Sequence, residues 1–300
     1  MKVFYSDTYP LPLPDTHRFP GTKYRLLRDA LVQGGVVRTD QMQVSPLIER
    51  EDLLRAHDAD YISAFETGTL NEKAIRRIGF PWSPELVLRT AASAGGALAA
   101  ARSALETGLS GQLAGGTHHA HRDFGLGYCI YNDFAIAALT LIETGRVRRV
   151  AIIDLDVHQG DGNAAILGEH PAVFVFSMHG EKNFPFRKTV SDLDIPLADG
   201  LADEAYLDAL DSALPQVFAF APDLVLYQSG VDGLAEDTLG RLNLTHAGLM
   251  ARDRRVLGEC HARGIPVSMG IGGGYADPIE ATVLAYVNTY RVARDLYAFA

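Results

Sequence analysis

The chain has 300 residues, of which 47% are hydrophobic and 21% charged, and its formal net charge is −10. The apolar content excludes bulk disorder and predicts a sizeable core. The acidic balance disfavours a nucleic-acid surface, which needs clustered Lys and Arg, and no apolar stretch is long and uninterrupted enough for a membrane span.

Short apolar runs alternate with helical patterns along the chain. Continuous apolar runs of this kind are typical of parallel strands that are covered on both faces. In chain order, the predicted strands are Lys2–Tyr5, Gln112–Ala114, Val150–Asp154, Val173–Ser177, Leu224–Gln228 and Val267–Ile271.

The predicted helices carry start and stop signals. Ser83 and Pro84 begin an Ala-rich helix that reaches about Leu105. Asn132 or Asp133 caps a second helix, which runs to about Thr144 before Gly145. Further helices are predicted at Ala202–Leu214, His246–Arg263 and Pro278–Ala298. Alternating strands and helices indicate an α/β fold with a mainly parallel sheet.

The ends and the cysteines add to this description. The N-terminus shows no apolar stretch of the signal-peptide kind, so we expect a cytoplasmic location. Cys129 and Cys260 allow one bridge but favour two buried thiols.

Polar and glycine-rich segments follow five of the predicted strands. Ligands of parallel sheets bind beyond the carboxyl ends of the strands, so these segments predict a binding edge. They are GGTHHAH (115–121), DLDVHQGDG (154–162), Ser177–His179, SGVD (229–232) and GGGY (272–275).

The segment after Val150–Asp154 has the pattern of a metal site. Asp154, Asp156 and His158 have period two and share one side of an extended chain. Two carboxylates and one imidazole, with Asp232 as the third ligand, suit Zn²⁺ or Fe²⁺ with an open position for catalysis. A D-x-D-x-H string alone is equally typical of a capped loop, but its placement with the other segments favours a metal-dependent active site.

Together, these segments and GYCIYND (127–133) resemble the histone deacetylase family on the arginase/deacetylase fold. YPLPLPDTHRFPGTKYRLL and MHGEKNFPFRK are most similar to the class IV branch and its bacterial relatives. The resemblance implies a three-layer α/β/α fold with a mainly parallel central sheet, in a single domain over residues 1–300. It also implies a zinc-dependent deacylase that acts on acyl-lysine in proteins or peptides.

The resemblance implies a role for each matching residue. Asp156, His158 and Asp232 would hold Zn²⁺, with Fe²⁺ as the alternative. His119 would be the general base toward the attacking water and then the general acid toward the lysine amine. His118 would supply electrostatic support.

Further matching residues would orient, stabilise or enclose the substrate. Asp154 and Asp161 would orient His118 and His119, respectively. Tyr275 would donate its hydroxyl to the acyl oxygen as negative charge develops. The tunnel for the acyl-lysine stem would be lined by Gly127, Tyr128 and Phe184, and a potassium site would involve Asp154, Asp156, His158, Ser177 and Met178.

Two positions depart from the family pattern. Gln159 stands where many members carry a second His, which is not a ligand, so metal binding should survive. Tyr128 replaces the common Phe of the tunnel, and its hydroxyl needs a partner.

Three alternatives stay open at this point. A binuclear manganese ureohydrolase would need further carboxylates where Gly160 and Leu234 stand. A non-catalytic acyl-lysine binder would have lost a ligand, the His pair or the tyrosine. A deacylase of acetylpolyamines or other small amides would place acidic groups at the tunnel mouth, for which Asp15, Glu181 and Asp237 are candidates.

The substrate is only partly indicated. Resemblance to class IV implies acceptance of acyl groups longer than acetyl, and the acidic balance is expected to favour lysine-bearing substrates weakly. The loops Tyr5–Tyr24 and Phe184–Phe186 are candidates for a substrate rim or a subunit contact, and the oligomeric state is not indicated.

Overall fold

The computed structural model describes residues 1–14 and 16–298. Its strands are β1 (Val3–Tyr5), β2 (Met42–Val44), β3 (Leu109–Gln112), β4 (Val150–Asp154), β5 (Val173–Gly180), β6 (Leu193–Leu197), β7 (Leu224–Gln228) and β8 (Val267–Gly270). Its α-helices are α1 (Lys23–Gln33), α2 (Arg50–Ala56), α3 (Ala59–Glu66), α4 (Glu72–Ile78), α5 (Pro84–Thr107), α6 (Asp133–Glu143), α7 (Asp161–Leu167), α8 (Asp203–Ala219), α9 (His246–Ala262) and α10 (Glu280–Tyr297).

The strands form one sheet in the order β2-β1-β3-β8-β7-β4-β5-β6, and every strand pairing among the described residues is parallel. Strand β4 lies between β5 and β7, where Asp154 is opposite Ser177 on one side and Gln228 on the other. Because all strands point the same way, the segments that follow them emerge at one edge of the sheet.

Helices cover both faces of this sheet. Val150 and Ile152 of β4 belong to the core shared with α2 to α7, whereas Ala151 and Ile153 belong to the core shared with α1, α8, α9 and α10. The alternation follows from the period of two in a strand, and both sets are fully buried. The predicted three-layer α/β/α arrangement with a mainly parallel sheet is therefore confirmed.

Strand β3 lies earlier in the chain than the apolar pattern predicted. It spans Leu109–Gln112 instead of Gln112–Ala114 and pairs with β1 and β8. Two of its residues are polar yet buried: the Ser110 hydroxyl donates to the carbonyl of Lys2, and the Gln112 amide donates to the carbonyl of Ser93. These buried polar groups are satisfied by partners elsewhere in the fold. The strand can therefore be buried without a continuous apolar run, which is why the apolar pattern did not mark it.

Other elements give a weak sequence pattern. The edge strands β2 and β6 have no counterpart among the predicted strands; they are mostly half-exposed and carry polar residues. Helices α1 to α4 and α7 were also not predicted; α2, α4 and α7 have only seven residues each. Helix α8 continues past Pro215 to Ala219 because Val217 and Phe218 pack into the core.

Other sequence predictions concern the cysteines and the membrane. Cys129 and Cys260 are both free and buried. Among the described residues, no helix is both long enough and apolar enough to cross a bilayer. Asp15, a candidate for the tunnel mouth, lies outside the described residues.

Candidate functional site

The loops after β3, β4, β7 and β8 meet at the carboxyl edge of the sheet. Asp154 is the last residue of β4, and the turn after it places Asp156 and His158 beside Asp232, which follows β7. The glycines after β8 allow close approach: a Cβ on Gly273 would lie 1.9 Å from a carboxylate oxygen of Asp232.

Asp156, His158 and Asp232 form a cluster of metal-ligand type. One ligand atom from each lies within 4.8 Å of the other two. The Nδ1 atom of His158 is 3.0 Å from a carboxylate oxygen of Asp156 and 3.0 Å from one of Asp232. Two carboxylates and one imidazole around a single point are a donor set that fits Zn²⁺ or Fe²⁺.

The two carboxylates of the cluster strongly favour a positive charge between them. Burial opposes protonation of His158, but hydrogen bonds and charges from Asp156 and Asp232 outweigh it and raise the pKa of His158 to about 10. Burial and the neighbouring Asp156 raise the pKa of Asp232 to about 7. A divalent cation supplies this positive charge while leaving the imidazole neutral, as a ligand must be.

Two histidines on the loop after β3 stand beside this cluster. The ring centres of His118 and His119 are 4.2 Å apart, and the Nε2 atom of His118 is 3.9 Å from a carboxylate oxygen of Asp156. Asp154 lies 2.7 Å from the Nδ1 atom of His118. Burial opposes protonation of His118, but Asp154 and Asp156 outweigh it and raise its pKa to about 9.

His119 has the opposite electrostatic setting. Burial and the nearby charge of His118 lower the pKa of His119 to about 4, although Asp161 opposes the shift. The Nδ1 atom of His119 is 2.5 Å from one carboxylate oxygen of Asp161, whose other oxygen is 3.1 Å from the Nε2 atom of His121. His119 is thus a neutral base at neutral pH, with its Nε2 atom free of the Asp161 contact. The role of His121 as a second partner of Asp161 was missed, although it stands in the same GGTHHAH segment.

The backbone of Tyr275 is fixed by two hydrogen bonds. Its N–H donates to the Asp237 carboxylate at 2.6 Å, and its carbonyl accepts from the Thr238 hydroxyl at 2.8 Å. Asp237 also accepts from the N–H groups of Leu239 and Gly240, at 2.8 Å each. Burial raises the pKa of Tyr275 well above its usual range, so its hydroxyl stays protonated as a donor. Asp237 therefore positions Tyr275, a role that the sequence did not reveal.

Three residues of the predicted tunnel form one wall of a cavity. Gly127 and Tyr128 both have positive φ, at 54° and 67°, and their N–H groups donate to the carbonyls of Arg77 and Ile78. A Cβ on Gly127 would lie 3.2 Å from both His119 and Phe184. Phe184 packs edge-on against His119, with ring centres 5.0 Å apart. The turn therefore needs glycine to keep the cavity open next to His119.

The cavity has a volume of about 500 Å³ and its lining includes Asp156, His158, His118, His119 and Tyr275. Its exposed lining residues are Arg76, Arg77, Lys182, Phe186 and Arg241, four of them cationic. Among the described lining residues, Asp156 is the one carboxylate. Three of these cations are paired with carboxylates outside the lining: Arg76 with Glu72 at 3.1 Å, and Lys182 and Arg241 with Asp199 at 3.7 and 3.1 Å. The lining itself thus carries more cationic than anionic side chains, in a chain whose net charge is −10.

Arg252 stabilises the edge of the sheet beneath the site. It is 1% exposed, pairs with Asp253, and donates to the carbonyls of Ser229 and Gly230, just before Asp232. Its place in helix α9 gave no sequence signal, because an arginine in a helix is usually a surface residue.

The residues of the predicted potassium site are neighbours across the sheet. Ser177 lies opposite Asp154 in the β4–β5 register, and Met178 follows it. The Ser177 hydroxyl lies 3.0 Å from the Nδ1 atom of His179, and one Asp154 oxygen accepts from the N–H of Asp156 at 3.2 Å.

Comparisons with known proteins agree with this geometry. The family model of the histone deacetylase domain matches residues 17–290. An uncharacterized protein of Picosynechococcus sp. is 47% identical over 296 residues, which cover 98% of this chain and 99% of that protein. A histone deacetylase-like amidohydrolase of Pseudomonas aeruginosa is 31% identical, covering 85% of this chain and 71% of that protein.

Solved structures show the same architecture. The crystal structure of a histone deacetylase homologue complexed with SAHA superposes with a TM-score of 0.83 and 25% identity, over 100% of this chain and 84% of that chain. The HD domain of HDA15 also gives a TM-score of 0.83, at 19% identity, over 100% of this chain and 88% of that chain, and supports the fold alone. With the family model matching most of its length, the chain belongs to the histone deacetylase family.

Proposed function

We propose that this chain is a zinc-dependent deacylase that removes acyl groups from the lysine side-chain amine of proteins or peptides. One observation carries the proposal: Asp156 and His158 of the Asp156–His158–Asp232 cluster line the same cavity as His119 and Tyr275. Amide hydrolysis needs a proton acceptor for water, a donor for the developing oxyanion and a proton for the amine, and these side chains supply them.

A divalent ion held by Asp156, His158 and Asp232 would lower the pKa of the attacking water and polarise the acyl oxygen. His119, neutral at pH 7, accepts the proton of that water at its Nε2 atom and then donates it to the leaving amine. Asp161 fixes the ring through Nδ1 and favours the protonated form as it develops. Tyr275 donates its hydroxyl to the acyl oxygen, held in place by Asp237.

The charge of the mouth favours peptides over polyamines. Polyamines are cations, and the mouth presents Arg76, Arg77, Lys182 and Arg241. Glu72 and Asp199 pair with three of these cations, whereas Arg77 has no ion pair among the described residues. Of the predicted acidic rim residues, Glu181 is exposed and outside the lining, and Asp237 is engaged with backbone N–H groups. We therefore expect acyl-lysine peptides with neutral or acidic flanking residues to react faster than acetylpolyamines.

The lining of the cavity also supports the proposal that acyl groups longer than acetyl are accepted. Beyond the residues named so far, its lining includes the apolar side chains Leu11, Phe19, Leu86 and Ile130. A volume of about 500 Å³ lies in the range of small-molecule sites.

A potassium ion is proposed next to the catalytic histidines. Backbone oxygens of Asp154, Asp156, His158 and Met178 with the Ser177 hydroxyl would form a hard oxygen site at the end of β4 and β5. The thermal midpoint should then rise more in KCl than in NaCl at equal ionic strength, and equal midpoints would contradict the ion.

The test of the proposed function is a substrate panel with zinc-loaded protein. We expect measurable kcat/KM for acetyl-, longer acyl- and lactyl-lysine peptides, with the longer acyl peptides faster than acetyl. Acetylpolyamines should be slower than the best peptide. A protein that hydrolyses acetylpolyamines best would overturn the choice of substrate, and one that hydrolyses no amide in the panel would overturn the activity.

A further inference from the structure

Two buried cations line the inner part of the cavity. Lys23 is 3% exposed and Arg89 is 7% exposed, and both side chains belong to the cavity wall. They flank one aromatic ring: the Nζ atom of Lys23 is 5.5 Å from the ring centre of Tyr24, and the guanidinium carbon of Arg89 is 4.7 Å from it. Two positive charges are thus concentrated in a region that is otherwise mainly apolar.

Lys23 lies next to the reacting groups. Its Nζ atom is 5.2 Å from the ring centre of Tyr275 and donates to the carbonyl of Gly272 at 3.3 Å. An ammonium group has three donors, so this contact leaves donor capacity toward the cavity. Burial lowers the pKa of Lys23 to about 8, against the opposing effect of Asp232, Asp156 and Asp237, and the amine stays mainly charged at neutral pH.

Arg89 is also only partly satisfied. Its Nη1 atom donates to the carbonyls of Ser6 and Tyr9, at 2.5 and 3.3 Å. Within residues 1–14 and 16–298, its Nε and Nη2 atoms have no hydrogen-bond partner. Neither Arg89 nor Lys23 forms an ion pair with a described residue, although the charge of Asp7 acts on Arg89 from a longer distance. Burying a charge without a counter-ion is costly, so an anion in this space would gain strong charge-assisted hydrogen bonds.

We infer that Lys23 and Arg89 form a subsite for the far carboxylate of a dicarboxylic acyl group, such as succinyl or glutaryl, on the substrate lysine. The inference rests on the proposed deacylase function, because that function places the acyl oxygen at the Tyr275 hydroxyl. An acyl chain that continues past this point would approach Lys23, whose Nζ atom lies 5.2 Å from the ring centre of Tyr275 and 5.7 Å from that of Phe19. A terminal carboxylate there meets two cations, whereas a terminal methyl group leaves both of them unpaired.

The experiment compares succinyl-lysine and butyryl-lysine peptides of the same sequence with zinc-loaded protein. The two acyl chains have the same length and differ in ending with a carboxylate or a methyl group. We expect kcat/KM for succinyl to exceed that for butyryl at least about tenfold, the effect of one buried charged hydrogen bond. Lys23→Met should lower this ratio about 10- to 100-fold, and Lys23→Arg should retain most of it.

Lys182→Met serves as the matched control, because it removes a cation from the exposed mouth of the same cavity. It should change the succinyl-to-butyryl ratio less than about threefold, since an exposed charge is screened by solvent. Folding of each variant is checked by its thermal midpoint, and the wild-type ratio tests the inference even if Lys23→Met does not fold.

The outcomes separate the two proposals. Hydrolysis of butyryl-lysine with a wild-type ratio below about ten, or a ratio unchanged in folded Lys23→Met, overturns the carboxylate subsite alone. If free succinate inhibits the enzyme but the succinyl peptide is not preferred over the butyryl peptide, the carboxylate subsite is also overturned, because the site then binds free anions only. No hydrolysis of any acyl-lysine peptide overturns the proposed function and this inference with it.

Discussion

The carboxylate of Asp237 accepts a hydrogen bond from the backbone N–H of Tyr275 at 2.6 Å. Two further N–H groups, of Leu239 and Gly240, fix the same carboxylate. The loop after β7 thus holds the loop after β8, and the direction of the Tyr275 hydroxyl depends on a residue that does not line the cavity.

Replacing Asp237 should therefore reduce catalysis without removing a reacting group. We expect Asp237→Ala to lower kcat about 10- to 100-fold, because a small misplacement of a catalytic donor has an effect of this size. Zinc content and the KM for an acyl-lysine peptide should change far less. Glu236→Ala, at the exposed neighbouring position, is the control and should match the wild type; unchanged kcat in Asp237→Ala would contradict the positioning role.

Removing the hydroxyl of Tyr275 tests its proposed role as the oxyanion donor. Tyr275→Phe should fold and bind metal, since the ring contacts with Phe19 and Tyr128 remain. Its kcat should fall about 10²- to 10³-fold, the usual result of losing one such donor. Full activity in a purified Tyr275→Phe protein would refute the proposed role.

The metal cluster makes a prediction about stoichiometry. Wild-type protein should carry about one zinc or iron ion per chain, measured by elemental analysis, because the cluster has three ligands and one centre. Asp232→Asn should lose most of the metal, whereas Asp199→Asn, at an exposed carboxylate outside the cluster, should keep it. Two tightly held manganese ions per chain would favour the binuclear ureohydrolase instead.

His57 makes stability depend on pH. It is 1% exposed, its Nδ1 atom donates to the carbonyl of His121 at 2.9 Å, and its Nε2 atom accepts from the N–H of Asn132 at 2.8 Å. Burial lowers its pKa to about 4, although its hydrogen bonds to backbone carbonyls oppose the shift. Protonation would remove the acceptor on which Asn132, the N-cap of α6, depends.

The sign of this effect follows from the lowered pKa. In the unfolded chain His57 is protonated below about pH 6.5, whereas in the folded chain it stays neutral down to about pH 4. The contribution of His57 to stability is therefore complete above pH 6.5 and is lost as the pH falls toward 4. The loss amounts to about 2–3 kcal/mol in the free energy of unfolding. Denaturant unfolding between pH 8 and 4 should be less pH-dependent in His57→Gln than in the wild type. Parallel curves would show that His57 does not cause the effect.

The fold followed from local patterns where those patterns were strong. Strands β4 and β7 lie where their apolar runs predicted, and Ser83 and Asn132 cap α5 and α6 with their side chains. Strand β3 was misplaced because its polar residues are satisfied by distant partners, which a local pattern does not show.

The sequence alone determined which residue types stand at the ends of the strands. The parallel order of β8, β7 and β4 then brings Asp156, His158 and Asp232 together, as their placement predicted. Such residues can be found from sequence because each directly follows a strand, and the direction of the strands decides the edge at which they meet.

The tertiary structure alone decided the supporting contacts and the charge inside the cavity. Lys23 meets Gly272 across 249 positions of the chain, and Arg252 reaches the carbonyls before Asp232 from helix α9. Such contacts join a side chain to a backbone group that any residue type would present, so no sequence pattern marks them. The acidic composition likewise gives no sign that the cavity lining holds more cations than carboxylates, because the local charge depends on which few side chains the fold brings to one place.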